Sequence, residues 1–459
     1  MSSAPLRAPR GLLAPVVAVV VAVVLAALTG CEALPLVVVE DARVGADPDA
    51  QLLDSGLAAD ARAADAGPPP DAEATPDAEA ADALAAPDAE ATPDAGAEPT
   101  CDFSRPADVD ALRVVLVAHP FTARPEVRGT SISTLTLDAA GTLAVVGTRL
   151  DVGFRVARME IVPSGRYALV VGEDGDVAVV RIDGPSQLVV TGRATLPRAG
   201  YGDIRMLASG RAALVVGSNV DQTSGVSHVK LGCDGTVSVD VAAFHPLRLT
   251  ASIAPLGSES RWILLGGQAV FAPVDTRELR ILTRANDRLT EVAALDVWSD
   301  AVDALRIATS PDGRVIIIPN GSPFSSEGGR VMIGELDGDR LPSPRFLMNA
   351  DDAREAAFSP DGQTALVTLL SPGRVVVLAD RGRGFEEVAR VAGIGLAEQM
   401  AVVRSGALAG RVLLPSVDPN GGPNVAQLQI TGPGAVRDLG QVELGPGSEV
   451  IPGAIAARP

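Results

Sequence analysis

One phrase returns along the chain and restricts its fold more than any other feature. Residues 161–171 read Ile-Val-Pro-Ser-Gly-Arg-Tyr-Ala-Leu-Val-Val, and residues 206–216 read Met-Leu-Ala-Ser-Gly-Arg-Ala-Ala-Leu-Val-Val. Further copies occupy 307–317 and 357–367, both with Ser-Pro-Asp-Gly at their centre, and weaker ones lie at 255–265 and 402–414. The glycines at 165, 210, 313 and 362 are separated by 45, 103 and 49 residues. The middle gap holds the weak copy at Ser260-Arg261-Trp262 and so counts as two. From residue 101 onward, short Val/Ile/Leu runs alternate with Gly, Asp, Pro and Ser, with no helical stripe, which marks an all-β chain. A period of about 45–52 residues in such a chain is the length of one four-stranded propeller blade.

The turn chemistry fits that reading. In Ser-Pro-Asp-Gly, proline pre-sets the first turn dihedral, aspartate caps locally and glycine takes the positive φ. The turn joins the innermost strand of a blade to the second. Six full repeats start near residues 158, 203, 251, 304, 354 and 399, with the fourth, around 261–298, the least regular. Two pieces remain. Residues 112–118, 131–138 and 142–148 read as second, third and outer strands without an inner one, and residues 450–456 read as an inner strand without a blade. Joined, they make a seventh blade closed by both ends of the domain, which removes the free sheet edges. The expectation is an all-β, seven-bladed β-propeller over 101–459, at about 51 residues per blade.

Residues 168–183, Ala-Leu-Val-Val-Gly-Glu-Asp-Gly-Asp-Val-Ala-Val-Val-Arg-Ile-Asp, are similar to the YVTN-type propeller repeat, and Ser359-Pro-Asp-Gly362 resembles the related PD40 repeat. The resemblance covers 101–459 and implies a lactonase-like propeller fold. It does not choose a function, because such repeats occur in lactonases, binding modules and surface proteins alike.

The N-terminus reads as an address. Arg7 and Arg10 precede an uncharged stretch, 11–30, which the secretion machinery reads as a signal segment. Leu28-Thr29-Gly30-Cys31 resembles a bacterial lipobox. The resemblance implies cleavage after residue 30 and acylation of Cys31, with the lipid bilayer as partner; an uncleaved transmembrane anchor is the alternative. Glu32 stands where aspartate marks inner-membrane retention, so the outer membrane is favoured over the inner. Residues 32–100 hold 17 acids against Arg43 and Arg62, in Ala/Pro/Asp/Glu repeats such as 70–78 and 87–95. Such a segment cannot bury enough apolar surface to fold and is expected as a disordered linker. A coil of that length spans on the order of 45–50 Å.

Composition excludes several functions. A net charge of −19 argues against nucleic acid. With 3 cysteines there is neither a disulfide framework nor a multi-cysteine metal site. His119 and His228 read as lying in or beside loops between second and third strands, and His245 as following an outer strand, so no metal site is expected. No cofactor fingerprint and no catalytic motif occurs. The long loops are those on the face that joins second to third strands, and they carry the candidate binding residues His119, Phe121, Arg124, Glu126, Arg128, Asp221, Phe324, Glu327 and Asp418. The sequence therefore predicts a monomeric binding or scaffolding module for an unidentified protein or small molecule. The alternative is a lactonase-like hydrolase, which needs a cation or metal and a base converging in the channel, at least three ionisable groups in all. Export permits a disulfide between Cys101 and Cys233, the alternative being two free thiols.

Overall fold

The computed structural model describes residues 103–104, 113–119, 121–122, 129–197, 203–217, 224–247, 250–266, 278–296, 306–320, 330–342, 344–347, 350, 352–370, 373–395, 399–417, 422–444, 450–451 and 453–457. They form seven four-stranded antiparallel sheets, the blades of a propeller. Blade two runs Val156–Ile161, Tyr167–Gly172, Asp176–Gly184 and Gln187–Thr195 from the axis outward. The inner strands of blades three to seven are Asp203–Met206, Thr250–Pro255, Ala308–Thr309, Ala353–Phe358 and Ala401–Val402. The single helical element among the described residues is the short 3-10 turn Gly406–Leu408. None of their helices is long and apolar enough to cross a membrane.

Blade four is as regular as its neighbours, with strands Thr250–Pro255, Arg261–Gly266, Glu278–Ala285 and Arg288–Asp296. Its repeat reads weakly for a local reason. The first turn places its positive-φ glycine at 257, directly after Leu256, whereas blade two places Gly165 three residues after Val162. Both turns are closed by the same backbone bond, Leu256 N to Arg261 O and Val162 N to Tyr167 O.

Each blade has two apolar faces, and the ring covers both. Every residue of Tyr167–Gly172, Ala212–Gly217 and Thr364–Leu369 is buried, while the outer strand Gln187–Thr195 alternates between partly and fully exposed positions. Seven hydrophobic clusters result, one in each gap between blades. Leu116, Ile132, Met159 and Val170 fill the gap between blades one and two, and Ile317, Val331, Phe358 and Val376 that between five and six. Each fully buried aliphatic side chain supplies about 1.5–3 kcal/mol.

Blade one combines Arg113–His119, Ser131–Leu137 and Leu143–Asp151 with Ile455–Ala457 from the far end of the chain. The closing strand pairs Val115 with Ala457 and Val117 with Ile455, and Ala118 N donates to Ala454 O at 2.8 Å. The expected continuous strand over 450–456 is instead two short ladders. Val450–Ile451 pairs with Phe121–Thr122, and Ile455–Ala457 alone is the inner strand. Side chains stitch the same seam. Arg411 of blade seven donates to Gly141 O of blade one at 3.0 Å, and Arg113 of blade one donates to Ser405 O at 2.7 Å.

His119 ends the second strand of blade one. It is buried, its Nε2 lies 2.7 Å from Ser133 Oγ, and its Nδ1 has no partner. Burial, helped by the positive charge of Arg149, lowers its pKa to about 3. His228 lies within the third strand of blade three and His245 within the outer one; burial lowers both.

Two predictions follow from this architecture. Deleting residues 450–459 removes both terminal ladders, and thermal melting should show a midpoint at least about 10 °C lower or no cooperative transition; an unchanged melt would refute closure by the C-terminal strand. The second concerns acid. The unfolded chain protonates His119 as pH falls below its ordinary value of 6.5, whereas the folded one resists down to about 3. Its contribution is full above 6.5 and is lost as pH falls, at no more than about 1.4 kcal/mol per pH unit. Denaturant titrations between pH 8 and pH 4.5 should show a shallower loss in His119→Gln than in the wild type.

Candidate functional site: the axial channel

The backbone bond that closes the inner turn aligns the inner strands of blades two to seven around the axis. Four residues before the turn donor lie Arg158, Asp203, Ser252, Arg306, Glu355 and Gln399, and Ala454 holds the matching position of blade one, on the face that looks toward the next blade. Two residues nearer the tight turns lies a second ring. Blades two and three supply Glu160 and Arg205 there, and the other five supply Ala254, Ala308, Ala357, Ala401 and Ala456. The residues between, such as Met159, Ile204 and Ile253, are apolar and buried in the gaps between blades.

The first ring is a plug. Arg158 of blade two reaches Glu355 of blade six at 2.9 Å, with 5% and 9% of the two side chains exposed. Arg306 approaches the same carboxylate at 3.8 Å. Gln399 of blade seven donates to Met159 O of blade two at 3.2 Å, past the short closing strand. Asp203 accepts from Ser252 Oγ at 2.5 Å, and Ser252 Oγ accepts from Ile307 N at 3.2 Å. Burial alone would raise the Asp203 carboxyl; Arg205, Arg306 and Arg158 outweigh it and hold the group below its ordinary value.

The second ring is wetter. About a quarter of the Glu160 and Arg205 side chains remains exposed although both lie deep in the ring of blades. Glu160 Oε2 accepts from Met206 N at 2.5 Å, and Oε1 lies 3.5 Å from Arg205. Arg205 also meets Asp203 at 3.1 Å and donates to Ile253 O at 3.0 Å. Burial pushes the Glu160 carboxyl up against the opposing pull of Arg205. Beyond this ring, at the tight-turn mouth, stands Arg404. It follows Val403 in the turn that runs to Gly410, and it is exposed. Although its side chain reaches solvent, the surrounding blades desolvate the guanidinium, and this with the neighbouring Arg205 lowers its pKa, Glu160 partly offsetting them.

More than three ionisable groups thus converge on the axis, and Arg205 lies within 3.5 Å of both Glu160 and Asp203. The sequence pointed elsewhere. Of the loop residues singled out, His119 is a buried strand residue, and Phe121 is placed by backbone pairing with Ile451. Arg124, Glu126, Arg128, Asp221, Phe324, Glu327 and Asp418 lie outside the described residues, as do Cys31 and Cys101. Cys233, in the turn after Ser224–Leu231, is disulfide-bonded. A second concavity of about 340 Å³ lies between the tight turns of blades five and six. Its acids are engaged locally: Asp312 accepts from Ser310 Oγ and Arg314 N, and Asp361 from Ser359 Oγ and Gln363 N. Among the described residues no group of three His, Cys, Asp or Glu could hold a metal ion.

No protein-family model and no curated protein matches the chain. Solved structures do. The periplasmic gluconolactonase PpgL of Pseudomonas aeruginosa superposes with a TM-score of 0.56 at 16% identity, over 76% of this chain and 99% of that one. A candidate 6-phosphogluconolactonase from Bacteroides uniformis gives 0.57 at 13%, over 75% and 99%. A hypothetical selenium-binding protein from Sulfolobus tokodaii gives 0.54 at 9%, over 75% and 93%. At these identities the likeness is one of fold, and the chain is a seven-bladed propeller of the architecture that gluconolactonase-like proteins share.

Proposed function

We propose that this is an exported protein, anchored through an acylated Cys31, whose propeller is a binding module for a small polar ligand held in the axial channel. The observation that carries the reading is the second ring. Glu160 and Arg205 stand on one wall, and alanine occupies the other five positions. Small side chains leave room, and the charged wall supplies orientation. The lipobox resemblance at 28–31 supports the anchor, and Glu32 supports the outer membrane.

A second reading, lactone hydrolysis, is favoured by one feature. Burial raises the Glu160 carboxyl toward the range useful to a general base. Glu160 would take a proton from water as its oxygen attacks the lactone carbonyl, and would return it to the ring oxygen as the C–O bond breaks. The gluconolactonase names of the structural neighbours fit such a substrate.

Cys101 is proposed as the partner of Cys233. Phe103, two residues on, packs edge-on against Tyr167 with centroids 5.5 Å apart, and Tyr167 donates its hydroxyl to Cys233 O at 3.3 Å. Two residues span at most about 7 Å. A bridge closing so long a loop supplies roughly 4–5 kcal/mol in the chain-entropy account.

Two experiments test these readings. Full-length protein in detergent, titrated calorimetrically with D-gluconate and aldonolactones, should bind at least one of them, with affinity tenfold or more weaker in Glu160→Gln. Turnover above the spontaneous rate that falls about 100-fold in that variant supports hydrolysis. Absence of both binding and turnover would overturn the channel as a site. For the cysteines, labelled palmitate should enter the wild type and not Cys31→Ser, and alkylation of denatured, unreduced protein should find no free thiol; two alkylatable cysteines would end the bridge.

A further inference from the structure

We infer that the channel carries a seat for an oxyanion built around Arg404, entered from the tight-turn face, and that the ligand is a small hydroxylated carboxylate. This deepens the channel reading and rests on it, but it does not require hydrolysis.

Among the described residues of the two rings and the turn above them, four guanidinium groups face three carboxylates: Arg158, Arg205, Arg306 and Arg404 against Glu160, Asp203 and Glu355. The first three arginines each have a carboxylate within 4 Å, at 2.9, 3.1 and 3.8 Å. No ion pair or hydrogen bond joins the Arg404 side chain to any described residue. Arg404 thus stands close enough to Arg205 for the two charges to repel, with no ion-pair partner among the described residues, and a bound anion would relieve that repulsion.

Blades two, three, five and six turn with glycine three residues after the inner-turn donor, as at Gly165, Gly210, Gly313 and Gly362. Blade seven does not return until Gly410, whose amide donates to Val403 O at 2.9 Å. The enlarged turn carries Arg404 at its start, and Arg113 of blade one pins it by donating to Ser405 O at 2.7 Å. The backbone that carries Arg404 is thus set at the mouth by a specific insertion and a specific brace.

Alanine at five positions of the second ring denies Arg404 a side-chain partner on those blades, and it leaves space for a ligand. Glu160 accepts one backbone N–H and faces Arg205, and its remaining lone pairs can receive ligand hydroxyls. The plug below, closed by Arg158 and Glu355, stops passage toward the opposite face. A ligand with one anionic end and hydroxyls along its length matches this order of groups.

The test compares inorganic phosphate, acetate, D-gluconate and the uncharged D-glucono-lactone as titrants of the full-length wild type, Arg404→Ala, Arg404→Lys and the exposed outer-strand control Arg437→Ala. Gluconate should bind more tightly than acetate, weaken tenfold or more in Arg404→Ala, recover partly in Arg404→Lys and stay unchanged in Arg437→Ala. Tighter binding of phosphate than of gluconate, with the same dependence on Arg404, would keep the seat and overturn the carboxylate. Thermal melting separates ligand binding from structure. Without ligand, Arg404→Ala should melt at or above the wild-type temperature, and it should lose the gluconate-induced rise. Gluconate affinity unchanged in Arg404→Ala overturns the seat. Lactone binding with no anion binding overturns it while leaving the channel reading intact. If nothing binds, both fall.

Discussion

A blade in this protein is a sheet with two apolar faces, and no single neighbour can cover both. That requirement governs the rest of the structure. It makes the second strands continuous apolar runs, where a sheet exposed on one side would alternate. It divides the hydrophobic core among seven gaps with none at the centre. And it forces the series to end where it began, because an open ring of blades would leave two such faces in water. The pairing of Val115–Val117 with Ile455–Ala457, together with Val115, Val117, Leu413 and Val425 packed in the last gap, meets that demand.

Closure creates the channel and also explains its polarity. Seven inner strands bring their outward-facing edges to the axis, and each edge carries backbone groups that no further strand can pair. Side chains from neighbouring blades answer them. Glu160 accepts from Met206 N, Arg205 donates to Ile253 O, Thr309 to Pro255 O, and Gln399 to Met159 O. Long charged residues suit this work because they span the distance between blades. Most of the axial charge therefore has a structural reason. What remains for chemistry is the remainder: a carboxylate with free lone pairs and an arginine with no partner among the described residues.

The blades were legible because their turns repeat. Ser-Gly-Arg and Ser-Pro-Asp-Gly fix where an inner strand ends, and the orphan strands at 112–148 and 450–456 announce the seventh blade. Blade four was blurred because its glycine shifted within a turn of unchanged length. The channel was harder to read. A search for histidines and long loops passes over it, yet the register was present in the repeat. Seven and five residues before Gly165, Gly210, Gly313 and Gly362 lie Arg158 and Glu160, Asp203 and Arg205, Arg306 and Ala308, and Glu355 and Ala357. The pairing of Arg158 with Glu355 was beyond reach, since only the circular arrangement brings blades two and six together. His119 misled for the opposite reason. Its position at the end of a strand resembles a loop in sequence, while the ring buries it.

The closing strand also sets the order in which the molecule can be made. Residues 455–457 leave the ribosome after every other described strand, and the partner strand Arg113–His119 must wait for them across nearly the whole domain. Contacts so distant in sequence form slowly, because the intervening chain must first be drawn together. Until then blade one lacks its axial strand, and the faces on either side of the last gap stay open. The finished ring is therefore a late event that depends on the strand at 455–457. A fold of this kind keeps the growing chain unlocked until that strand is delivered.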